Sequence, residues 1–264
     1  MPLTKGEARL SHVYRQAVMG TVVTYDVRTE AAGPDVADAV QAAMRWLEWV
    51  DDTFSTYKPS SEVCRWDRGE LRTEDCSDDM RHIIALCHSL SQFTDGYFDA
   101  WAGGSFDPSG VVKGWSIDRA SRMLVGAGFE DHLIDAGGDV CLSGAPGAGE
   151  PWTVAVRHPL ELDAYCAVLR LSGGSVATSG TYERGLHVLD PHTGKPAQAL
   201  VSATVVGPDL TLADAYATAA LAMGVKAPAW LVDLSGYESM VVGPDGRGWV
   251  SPGFAALSIP LGGD

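Results

Sequence analysis

The sequence has no basic excess, no paired-cysteine motif, no long apolar run and no internal repeat, and each absence removes a class of function. Its 19 lysines and arginines stand against 34 aspartates and glutamates, a formal net charge of -15, with no basic patch along the chain. A phosphate backbone would be repelled, which argues against a nucleic-acid partner. A phosphate-bearing small ligand would need a metal cation at its site for the same reason. The five cysteines, Cys64, Cys76, Cys87, Cys141 and Cys166, are odd in number, scattered, and never spaced Cys-x-x-Cys. That leaves neither a zinc framework nor a redox pair, and they read as reduced thiols. The opening stretch MPLTKGEARLSHVYRQ carries no apolar signal region, and no segment is apolar enough to span a bilayer, so the expectation is a cytoplasmic protein with no membrane partner.

What is present describes a globular chain: 264 residues, 46% hydrophobic and 20% charged, enough for a large core. Residues 21–27 alternate as a strand, and 35–50 recur at helical spacing through Val36, Ala39, Val40, Ala43, Leu47 and Val50. A second helix is expected over 77–93, a third from the Asp107-Pro108 turn onward, and a fourth over 211–223 with Gly224 as its stop. Strand candidates fall at 132–136, 140–143, 152–157, 166–171, 174–178 and 201–206, and residues 228–234 and two closing strands finish the chain. Helices and short strands interleave without a regular βαβ count, so the expected class is α+β, one domain over residues 1–264 with mixed or antiparallel sheets. The run SGAPGAGEP, 143–151, suits a surface hairpin or a linker.

Several segments can carry chemistry. In DPSGVVKGWSIDRA, Asp107 or Ser109 can cap a helix entrance, yet Lys113 sits in the first turn, where the helix dipole disfavours a cation unless an anion or carboxylate is near. Lys113 is either a solvated lysine, a partner of Asp107, or a ligand for a phosphate. It does not belong to a Walker loop, whose order is missing. In TLADAYATAALAMG, Asp214 and Thr218 are one helical turn apart, so a carboxylate and a hydroxyl share one face and suit a hard cation such as magnesium. Thr211 and Asp214 also have capping-box spacing, which would occupy Asp214 structurally. In IDAGGDV, Gly137 and Gly138 permit a tight turn, and Asp139 offers an acceptor or an ordinary turn contact. His187 lies in an apolar run and is either a half-core histidine or a base, whereas His192 sits in an exposed-looking turn.

Taken in order, VMGT at 18–21, FSTY at 54–57, TDGYFD at 94–99, DPSGVVKG at 107–114, DAGGD at 135–139, ATSGTY at 177–182, HVLDPHTGKP at 187–196 and SATVVGPDLTLADAYATA at 202–219 resemble the ApbE family of FAD:protein FMN transferases. The resemblance covers nearly the whole chain and implies a T-fold-like α+β domain. It implies FAD as substrate, Mg²⁺ as cofactor, and transfer of FMN to a Thr or Ser hydroxyl of an acceptor flavoprotein with release of AMP. By that resemblance the Gly110 carbonyl, Asp214 and Thr218 form the metal set. Asp107, Lys113, Met19, Tyr57, Tyr97, Phe98, Asp99 and Leu189 contact FAD, and His187 is the base, with Asp214 also at the catalytic centre. One departure stands out: only Ala100–Phe106 separate the DGYFD-like and DPSG-like motifs, where the family usually has a longer segment. The alternatives are FAD hydrolysis to FMN and AMP by the same site, or a non-catalytic FAD-binding module.

Overall fold

The computed structural model describes residues 10–147, 149–161, 163–181 and 188–260. The chain opens on a hairpin of β1 (Leu10–Val18) and β2 (Thr21–Thr29), turned by Met19 and Gly20 at φ 52° and 72°. Positive φ at both turn residues matches the right-handed twist of the flanking strands. Three helices follow, α1 (Gly33–Phe54), α2 (Glu62–Asp67) and α3 (Asp78–Phe93), then α4 (Ser109–Gly126). In α1 the buried residues Val36, Val40, Ala43, Leu47 and Val50 repeat every three or four positions, the stripe visible in the sequence.

β3 (His132–Ala136) and β4 (Asp139–Ser143) form a second hairpin on Gly137 and Gly138, both at positive φ. The chain crosses to β5 (Trp152–Arg157) and β6 (Tyr165–Leu171), and returns as β7 (Gly174–Gly180). Then come the two-residue strands β8 (Leu189–Asp190) and β9 (Lys195–Pro196), and β10 (Ser202–Gly207). Next is α5 (Leu210–Met223), stopped by Gly224 at φ 58°, with α6 (Ala227–Leu231) directly after. β11 (Glu238–Val242), β12 (Gly248–Val250), α7 (Pro252–Leu257) and β13 (Ser258–Ile259) close the described chain.

Among the described residues, eight strands make one sheet in the order β1-β2-β3-β4-β7-β10-β11-β12, and β13-β6-β5 make a second, every pairing being antiparallel. Alternation along the large sheet divides its side chains between two cores. Ile134, Ala136, Cys141, Ala177, Ala203 and Val205 face the helices, whereas Val140, Leu142, Val176 and Val206 face the small sheet and pack with Trp152, Val154, Leu169 and Phe254. Both faces are therefore buried, and the α+β expectation holds.

The structure departs from the sequence reading, or narrows it, in three places. β1 was not anticipated. Residues 143–151 carry the chain from the large sheet to the small one, with one bridge between Gly147 and Glu150. The Thr211–Asp214 capping box does not form: Asp209 caps α5 by accepting the Leu212 N–H, and Thr211 donates instead to Asp118 on α4.

Candidate functional site

The site forms where the first turn of α4 meets α5 at one end of the large sheet. The Asp107 carboxylate accepts the Ser109 N–H at 3.0 Å, shaping the entrance of α4, and Pro108 holds the cap position. The two helices then approach closely. A Cβ on Gly114 would lie 2.5 Å from the Leu210 carbonyl oxygen, and one on Gly110 would lie 3.2 Å from the Phe98 ring and 3.5 Å from the Thr218 hydroxyl. Glycine is what lets the backbones meet at this distance. Asp118, one turn further along α4, accepts the N–H groups of Leu210 and Thr211 and the Thr211 hydroxyl. Burial pushes the Asp118 carboxyl up, and the Thr211 donors oppose that shift. These contacts fix the register of α5 on α4.

That register brings the predicted oxygen donors together. Asp214 is 3% exposed, and the Thr218 hydroxyl lies 3.1 Å from the Ser179 hydroxyl on β7. Lys113 reaches across the sheet end to an ion pair with Asp139, and its Nζ is 4.0 Å from Asp214. Asp139 is 1% exposed and also accepts the Thr178 N–H at 3.0 Å. The cation that the helix dipole disfavours is thus held by two carboxylates, neither of them Asp107.

Two cavities flank Lys113. One of about 270 Å³ is lined by Tyr97, Phe98, Asp99, Asp107, Gly110, Leu189, Asp214 and Thr218. The other, about 390 Å³, is lined by Met19, Phe54, Tyr57 and Val112. Ser109 and Lys113 line both. The candidate residues within the described chain therefore fall into two groups on either side of one lysine. Phe98 is buried as a wall, and Asp99 spends one oxygen on the Trp101 N–H. Tyr57 is 94% exposed on the rim of the second cavity. Tyr97 is held from outside by Lys226, which donates to its hydroxyl at 2.8 Å, and by the His192 ring at 4.3 Å. His192 is exposed, as its turn suggested, and donates to the Asp95 carbonyl. His187 lies outside the described residues.

The donor set suits a hard cation. Asp214, the Thr218 and Ser179 hydroxyls and the Gly110 carbonyl are oxygen donors lining one cavity, the ligand type a hard cation takes. Sequence reasoning offered Asp139 only as an acceptor or a turn contact, and it did not assign Thr178 or Ser179 to the site. The signal for Asp139 was the unbalanced charge of Lys113, which called for a carboxylate without saying which one.

The ApbE family model matches residues 19–105 and 101–241, two pieces that meet at the short connection between the DGYFD-like and DPSG-like motifs. The FAD:protein FMN transferase of Klebsiella pneumoniae is 32% identical over 166 residues, 58% of this chain and 47% of that protein, so the match spans about half of that relative's length. The Haemophilus influenzae protein of the same name is 30% identical over 243 residues, 67% of this chain and 70% of its own. The ApbE protein from Thermotoga maritima superposes with a TM-score of 0.83 at 23% identity, over 95% of this chain and 100% of its own. The flavin transferase ApbE from Vibrio cholerae also gives 0.83, at 21% identity, over 94% and 99%. At those identities the superpositions establish the fold.

Proposed function

Because the chain belongs to the ApbE family, we propose that it catalyses magnesium-dependent transfer of FMN from FAD to a Thr or Ser hydroxyl of an acceptor protein, releasing AMP. The observation that carries the reading is Lys113, set between two cavities and beside the oxygen cluster of Asp214 and Thr218. A dinucleotide has two large ends joined by a diphosphate. Two cavities joined at one cation match that shape and charge.

In this reading Lys113 meets the diphosphate. Tyr97, Phe98, Asp99, Asp107 and Leu189 contact FAD in one cavity, and Met19 and Tyr57 in the other. Asp214, Thr218 and the Gly110 carbonyl would hold magnesium. When bound there, the ion supplies charge neutralisation of the diphosphate oxygens. The acceptor hydroxyl oxygen bonds to the flavin-side phosphorus, the bond from that phosphorus to the bridging oxygen breaks, and AMP departs with the bridging oxygen. The hydroxyl proton passes to a base, which we assign to His187. A cytoplasmic place of action is part of the proposal and accords with five unpaired thiols.

The test is the intact mass of a panel of acceptor domains after incubation with the protein, FAD and Mg²⁺, with AMP assayed in the same tubes. An adduct of FMN mass with matching AMP supports transfer. AMP without an adduct supports FAD hydrolysis, and neither product leaves an FAD-binding module.

A further inference from the structure

β5 is the outer strand of the small sheet, and no strand pairs with its other side among the described residues. That edge borders a groove rather than open solvent. A cavity of about 470 Å³ touches five consecutive β5 residues, Thr153–Arg157, and is floored by the large sheet through Val22, Thr24, Asp135, Val140 and Val176. Exposed edges are usually blunted by proline, charge or a bulge. β5 reads Trp-Thr-Val-Ala-Val-Arg, with no proline, and its one charge and one register irregularity both lie at the Arg157 end.

The groove has a direction. At one end Trp152 donates to the Ser143 carbonyl, at the finish of β4. At the other, Asp135 accepts the Gly138 N–H. Burial pushes its carboxyl up, while that N–H and the nearby Arg157 guanidinium act against the shift. Here β4 stops pairing with β7 at Val176, and Ala177–Gly180 run on beyond it. Thr178 in this overhang lines both the groove and the cavity that holds Asp214 and Thr218. The two spaces lie on opposite faces of the large sheet, since Cys141 and Ala177 face the helices while Val140 and Val176 face the groove. They meet at the sheet's end.

We propose that this groove receives the acceptor polypeptide as an extended segment paired to the β5 edge, its Thr or Ser carried past the Gly137–Gly138 hairpin to Thr178. The proposal rests on the transferase reading and adds where the second substrate binds. FAD enters from the helix face and the acceptor from the other, so neither blocks the other's path. Backbone pairing along β5 supplies affinity, and the valine and threonine floor selects small or branched side chains at every second position. Asp135, half-buried at the far end, takes an N–H or hydroxyl donor from the segment.

The probe is a library of unstructured peptides, each with one Thr or Ser. Those that take the FMN adduct are assayed with Thr24→Trp, which fills the floor of the groove. The expected result is a KM for peptide raised about ten-fold, with FAD affinity and peptide-free AMP release unchanged. In wild-type protein the same peptides should slow hydrogen exchange at the Thr153–Arg157 amides, a readout that holds if the variant folds poorly. Adduct formation with an unchanged peptide KM in folded Thr24→Trp, or with no new protection on β5, overturns the groove alone. No adduct on any peptide or acceptor domain overturns the transferase reading, and the groove falls with it.

Discussion

Lys113, the fifth residue of α4, forms its ion pair with Asp139, 26 residues away at the start of β4, and not with Asp107 in the loop before the helix. A buried carboxylate that loses its cation retains the cost of desolvation, about 3–5 kcal/mol for a fully buried pair. Lys113 is 27% exposed, so Lys113→Met is expected to cost about 3 kcal/mol. Adding Asp139→Asn to that variant should recover part of the loss, as read from chemical denaturation. Equal stability of Lys113→Met and wild type would show that the pair is solvated.

The capping residue and the site residue of α5 separate cleanly. Asp209→Ala removes the side chain that accepts the Leu212 N–H and should cost about 1 kcal/mol while leaving turnover near normal. Asp214→Asn should do the reverse, abolishing magnesium-dependent turnover with little change in melting temperature. Substantial turnover by Asp214→Asn would remove this carboxylate from the metal set.

Gly114 is a test of helix spacing. Alanine normally favours a helix interior by about 1 kcal/mol over glycine. Here its Cβ would stand 2.5 Å from the Leu210 carbonyl oxygen, so the sign reverses and Gly114→Ala should destabilise by about 1–3 kcal/mol. The displaced α5 carries Asp214, and the Mg²⁺ concentration for half-maximal activity should rise with it. A more stable Gly114→Ala protein would contradict the close contact.

His132 gives a pH dependence. Its ring is fully buried, with Nδ1 facing the Phe129 carbonyl and Nε2 facing the Ser121 hydroxyl, and burial holds its pKa below the usual histidine value. Below about pH 6.5 the unfolded chain takes up a proton that the folded ring refuses, so this contribution to stability is present at higher pH and is lost as pH falls. The gap in melting temperature between wild type and His132→Gln should therefore narrow from about pH 7.5 to about pH 5.5. A constant gap would mean that the ring does not titrate differently in the two states.

Much of the fold was legible because local pattern and tertiary use agreed. The apolar stripe of α1, the Gly224 stop and the glycine hairpin at 137–138 each name their own structure. β1 was not legible, because Leu10–Val18 is a half-exposed edge strand whose pairing with β2 supplies what its own pattern lacks. At the site, the one-turn spacing of Asp214 and Thr218 was readable from helical geometry alone. The pairing of Lys113 was not, since a first-turn lysine calls for a carboxylate without naming one. The false capping box has the same origin: Asp118, 93 residues before Thr211 in sequence, takes the hydroxyl that the local motif would have used.

In the proposed transferase one oxygen cluster beside Lys113 serves both cavities. The most direct measurement is a crystal of the protein grown with FAD and Mn²⁺, with the metal located by its anomalous signal. A metal peak bounded by Asp214, Thr218 and the Gly110 carbonyl is expected, with the diphosphate at Lys113 and the two ends of FAD in the two cavities. A metal peak elsewhere, or FAD confined to one cavity with its diphosphate away from Lys113, would contradict it.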